Sequence, residues 1–175
     1  MATIVVERRY GEPVTLEEVT ARDTPEAGPA TLLFSAIDRA GRHSISILSA
    51  PDMEGLRAGL DARAPGADIW TATTNRNDGV AAFVASVRRA GAGSHALVAK
   101  NFPEPVDIGV PANNFDPSDW CLNMHNVRYL HSHMMPDRRR LVCLYVAADV
   151  ETIARAYRLI PVDLGGVFRA RIAVG

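Results

Sequence analysis

With 175 residues, 47 % of them apolar and 22 % charged, the chain has a globular composition that can fill a core, which excludes wholesale disorder. Its formal net charge of -1 gives no field to draw in nucleic acid or an anionic membrane surface. Two cysteines, Cys121 and Cys143, cannot build a disulfide framework and are read as thiols: ligands, nucleophiles or small hydrophobes.

Met1 to Tyr10 has no long apolar stretch, and no run approaches the ~18 apolar residues of a membrane span, so a soluble cytoplasmic protein is expected. Thr3 to Tyr10 (TIVVERRY) is a β-rich run stopped by Pro13, which cannot continue a ladder. Thr15 and Glu18 have capping-box spacing and predict a short helix that ends by Thr24-Pro25. Ala30 to Ile37 and Ser44 to Ser49 read as a hairpin with Gly41 available for a positive φ. Asp52 caps a helix with Met53, Leu56 and Leu60 as its apolar stripe, Pro65-Gly66 closes it, and Asp68 to Thr74 is a fourth strand.

Arg76 to Ala92 is an amphipathic helix or a connector, and Gly91 to Ser94 is a linker. His95 to Phe102 is a strand, Asp116 or Ser118 starts a helix through Trp120, Cys121, Met124 and His125, and Asn126 to Met134 with Arg140 to Val146 forms a second hairpin. Asp149 to Leu159 is a helix with Val150, Ile153 and Tyr157 inward, and Gly166 to Ala173 is the last strand. These runs divide the chain into a first unit, 1–75, a connector, 76–94, and a second unit, 95–175.

The two units align. Tyr10-Gly11-Glu12-Pro13-Val14 matches Phe102-Pro103-Glu104-Pro105-Val106, and Ser35 with Ala50 to Glu54 matches Ser132 with Ala147 to Glu151. Each unit reads β-α-β-β-α-β, the split βαβ or ferredoxin-like order, whose sheet carries helices on one face and must bury the other. The expected fold is therefore α+β: two tandem ferredoxin-like repeats packed sheet to sheet as a fused version of a dimeric α/β barrel.

Val6-Glu7-Arg8 with Glu12-Pro13, Arg128-Tyr129-Leu130-His131-Ser132, and Cys143 to Ala147 running into Asp149 and Glu151 form a pattern. It resembles a family of small ferredoxin-like domains of unknown function whose named member is a nickel-binding protein. The resemblance implies a cytoplasmic domain that dimerises through its sheet and holds a divalent transition metal, nickel or zinc. Where the nickel-binding member has neighbouring histidines at the end of the first strand, this chain has Arg8-Arg9 and Lys100-Asn101, so ligands are sought elsewhere.

His131 and His133, two apart in a strand, point to one face, opposite Leu130, Ser132 and Met134. They can start a metal shell completed by Glu7, or stand as polar interface residues without a metal. Cys121 and His125, four apart on a helix, form either a soft-metal or activated-thiol pair or part of a buried stripe with Trp120 and Met124. Cys143 falls on the face of Ser132 and reads as core. Glu7 and Arg9 share a strand face and suit a base with an anion partner, or a pair that neutralises itself at the domain interface. Arg138 to Arg140 reads as a solvated turn.

The sequence thus points to a small-ligand or metal-binding barrel using His131, His133 and Glu7, with Cys121 and His125 as further metal candidates. The alternative is a cofactor-independent cyclase or isomerase for an apolar metabolite, in which His131, His133, Glu7 and Arg9 do the chemistry. A homodimer is compatible with either, and neither nucleic acid nor a membrane is expected as a partner.

Overall fold

The computed structural model describes residues 2–26, 28–63, 66–71, 73–74, 85, 94–106, 125–158 and 163–174. In chain order they form β1 (Ala2–Arg9), α1 (Leu16–Asp23), β2 (Thr31–Ile37), β3 (His43–Ala50), α2 (Met53–Arg63), β4 (Asp68–Thr71) and β5 (Thr73–Thr74). Then follow β6 (Ser94–Asn101), β7 (Arg128–Met134), β8 (Arg140–Ala147), α3 (Val150–Tyr157) and β9 (Asp163–Val174). The expected fourth strand is split into β4 and β5. The expected helix through Trp120 and most of the 76–94 connector lie outside the described residues.

Local chemistry sets the boundaries. Thr15 and Glu18 close a reciprocal capping box at the start of α1, and Asp149 caps α3 through the amide of Thr152. Gly41, at φ +72, turns the first hairpin beneath Val14, and Arg138, at φ +58, takes the corresponding place in the second. The two hairpins also share a bulge, between Leu32 and Phe34 in one and between Tyr129 and His131 in the other.

The protein is α+β, with antiparallel ladders in the strand order β4-β1-β3-β2-β9-β6-β8-β7-β5. This is one continuous order rather than two separate sheets laid face to face. The halves join edge to edge where β2 pairs with β9, and again where Thr73 and Thr74 of β5 pair with Met134 and His133 of β7. Among the described residues no ladder joins β4 to β5, so the hydrogen bonding does not run as a closed ring.

The sheet is nevertheless strongly curved. In a flat sheet β3 and β7 would lie five strand spacings apart, roughly 24 Å at ~4.8 Å each. Ile45 and Ile47 of β3 instead line one small cavity together with His133 of β7. One face therefore encloses an apolar interior built from both halves: Val5, Phe34, Ala36, Ile45, Ile47, Leu97, Val142, Leu144 and Val146. The helices cover the opposite face. Leu56 and Leu60 of α2 pack on Ile4, Val6 and Leu48, and Ile153, Ala156 and Tyr157 of α3 pack on Val98, Cys143 and Tyr145.

Candidate functional site

Strand alternation makes one end of the enclosed face polar. On β1 the inward series runs from Val5 to Glu7 and Arg9, on β3 it runs back from Ile47 and Ile45 to His43, and on β8 from Leu144 and Val142 to Arg140. The strand registers place Arg9 opposite His43 and Asn101 opposite Arg140, so these residues meet at the same end.

Glu7 is the centre of this end. Its side chain is almost fully buried, and its Oε1 lies 2.6 Å from His43 Nε2 and accepts a hydrogen bond from Arg140 Nη2 at 2.5 Å. Arg9 Nη2 stands 4.0 Å from the same oxygen while its side chain is 68 % exposed. Arg140 also donates from Nη1 to Asn101 Oδ1 at 3.2 Å. The Glu7 contact crosses from the first half of the chain to the second, again bridging strands that a flat sheet would hold far apart.

Burial alone would raise the Glu7 carboxyl. The hydrogen bond to His43 and the charges of Arg140, His43 and Arg9 outweigh it, so Glu7 is held below its ordinary value and is a carboxylate. With that oxygen charged, His43 Nε2 carries the hydrogen and donates it. Asp38, in the turn before β3, accepts from the backbone amides of Arg42 at 2.8 Å and His43 at 3.2 Å, which fixes the start of the strand. The arrangement is a buried carboxylate orienting an imidazole, flanked by two guanidinium groups.

His133 is 5 % exposed on the enclosed face, on the side expected for it, while Ser132 and Met134 are buried on the other. It lines a cavity of about 10 Å³ with Phe34, Ile45, Ile47, Leu97, Val142 and Leu144, close to the smallest volume that holds one water. His131 holds a strand position opposite Leu144, its side chain outside the described residues. His125 lies in the turn before β7, and Cys121 lies outside the described residues. Cys143 is a buried core thiol, as expected.

Two expectations change. Arg140 is not part of a solvated turn: Arg138 and Arg139 are exposed, but the Arg140 side chain is only 17 % exposed and reaches inward to Glu7. The main partner of Glu7 is accordingly Arg140 rather than Arg9. His43, Arg140 and Asn101 are the residues missed in the sequence. Their signal is there, because each stands two positions from an apolar inward residue at a strand end.

Among the described residues no group of three or more His, Cys, Asp or Glu side chains is placed to hold a metal ion.

A second buried network lies under α1. Arg8 Nε donates to Asp23 Oδ1 at 3.0 Å, and Ser46 Oγ donates to Asp23 Oδ2 at 2.6 Å and lies 3.0 Å from Ser35 Oγ. Its counterpart under α3 places Lys100 Nζ 4.9 Å from the centre of the Tyr157 ring and joins the Tyr145 and Tyr157 hydroxyls at 2.5 Å. Burial pushes Tyr157 up to about 12 and Tyr145 well above its usual value.

No family model matches the chain, and no curated protein matches it either. A solved structure described as an unknown protein from Galdieria sulphuraria is similar at 12 % identity and a TM-score of 0.35, covering 96 % of this chain and 98 % of that one.

Proposed function

We propose that the chain is two tandem ferredoxin-like repeats wrapped as a barrel, and that it binds a small organic molecule at the polar end of the enclosed face. The repeat reading is supported by order and by detail. Both β4-β1-β3-β2 and β9-β6-β8-β7 follow the strand order of a split βαβ sheet. Tyr10 N donates to Arg42 O at 2.9 Å as Phe102 N donates to Arg139 O at 2.8 Å, and Val14 N donates to Gly41 O at 2.9 Å as Val106 N donates to Arg138 O at 3.0 Å. Each second member occupies the place that the internal alignment assigns to it.

The observation that carries the binding reading is the convergence of His43 and Arg140, from opposite halves, on one buried oxygen of Glu7. A buried charge costs free energy even when paired, and apolar packing would fill the same space at lower cost. Buried ionisable clusters of this kind are concentrated at functional sites. The interior beyond it is filled by Phe34, Ile45, Leu97 and Val142, so the ligand sits at the mouth, with Glu7 and His43 as its acid–base pair.

Backbone-amide NMR with a set of small charged and neutral organic fragments tests this. Binders are expected to shift Glu7 to Arg9, His43 to Ile45, Ala99 to Asn101 and Arg140 to Val142. Binders that map to other surfaces, or Ni²⁺ alone giving the only specific shifts, would refute it.

A further inference from the structure

We infer that the molecule received at this end carries a carboxylate, which Arg9 and Arg140 hold. This rests on the binding site proposed above and narrows it to a ligand class.

The first ground is how charge is layered. Two acids of the site are sunk and engaged: Glu7 accepts from His43 and Arg140, and Asp38 accepts from two backbone amides, while Asp68 of β4, opposite Glu7 in the strand register, is exposed. The Arg9 guanidinium beside Glu7 is exposed. At 4.0 Å its contact with Glu7 is beyond hydrogen-bond reach, so Glu7 anchors it electrostatically without taking up its donors. A ligand approaching from solvent meets a cationic, planar fork, which matches a carboxylate in bidentate geometry.

The second ground is the pose of Arg140. Asn101 and Glu7 hold its two terminal nitrogens, while its buried Nε makes no hydrogen bond among the described residues. A buried donor in that condition carries a desolvation cost that an acceptor reaching it would relieve.

The third is the rim. The hairpin turns that precede His43 and Arg140 carry the exposed residues Arg39, Arg42, Arg138 and Arg139 at the same end. Exposed acids stand beside them: Asp137, which accepts from the Arg139 amide, Glu104, 3.9 Å from Arg139, and Glu12, between the two residues whose amides bond the first turn. Arg39 and Arg42, exposed on the first of these turns, can steer an anion inward. The inward neighbours Ile45 and Val142 supply an apolar wall, and the filled interior behind them leaves room only for a short hydrocarbon tail at the mouth.

The test is a titration of the full chain, followed by NMR, with butyrate, its neutral counterpart 1-butanol and inorganic phosphate. It is repeated on Arg9→Gln, an exposed substitution that spares the fold, and on Arg9→Lys. Butyrate is expected to bind and shift His43 and Arg140, to weaken by about tenfold or more in Arg9→Gln, and to recover only in part in Arg9→Lys, which restores charge without the fork. Butanol binding as well as butyrate, phosphate binding more tightly than butyrate, or butyrate affinity unchanged in Arg9→Gln would overturn the carboxylate assignment and leave the site itself standing. No shift at Glu7, His43 or Arg140 with any of the three, nor with the wider fragment set, would overturn both.

Discussion

Replacing Glu7 with Gln keeps the shape of the side chain and removes its charge, which isolates what the carboxylate does between the halves. Glu7 is 5 % exposed and accepts from Arg140 at 2.5 Å and from His43 at 2.6 Å. A hydrogen bond to a charged group contributes about 1.5–3 kcal/mol, and removing one partner of a fully buried ion pair costs about 3–5 kcal/mol. Arg140, at 17 % side-chain exposure, can turn part of its guanidinium to water, so the lower part of that range applies. The expected loss is about 2–3 kcal/mol, or roughly 4–12 °C in Tm for a chain of this size. Urea unfolding at pH 7 of Glu7→Gln, Arg140→Met and the double variant measures the pairwise term, expected at about 1.5–3 kcal/mol. A coupling below about 0.5 kcal/mol would refute the reasoning, because contact across the curled sheet would then add nothing beyond ordinary surface pairing.

The network under α1 should be less forgiving: Asp23 is fully buried, so Asp23→Asn, which leaves the Arg8 charge in the core, is expected to cost about 3–5 kcal/mol by urea unfolding. Gly41→Ala places a Cβ 2.6 Å from Val14 O at a φ of +72, and a loss of about 2 kcal/mol or more is expected in Tm measurements; a neutral result would place the turn differently. Acid sensitivity follows from Glu7, whose folded value is depressed. The stability it contributes is complete above its unfolded value near ~4.3 and is lost as pH falls through the lower folded value. Glu7→Gln should therefore be less stable than the parent at pH 7 and converge on it in the acid limb of a stability–pH curve.

The fold was legible where local chemistry and periodicity agreed. The capping box at Thr15 and Glu18, the cap at Asp149 and the alternation in β3 and β8 place those elements within a residue or two of their observed ends. The edge-to-edge pairing of β2 with β9 was not legible, because strand order within a half does not say which edges meet. The site was half legible. Glu7 was readable as a charge inside an apolar strand, and His133 by its spacing from His131. Arg140 was hidden by its neighbours, since Arg138 and Arg139 make the run look like solvent-facing turn, and only alternation with Val142 and Leu144 separates it. His43 was hidden for a similar reason, standing as the first residue of a strand after a polar turn.

The central claim is that a ligand enters at Glu7, His43 and Arg140 rather than at a histidine metal centre. The imidazole NMR spectrum of the five histidines, recorded before and after adding butyrate and separately Ni²⁺, tests it directly. Butyrate is expected to move the His43 ring signals and leave His95 and His125 in place. A silent His43, with Ni²⁺ alone shifting or broadening His131 and His133, would contradict the claim and assign the interior to a metal.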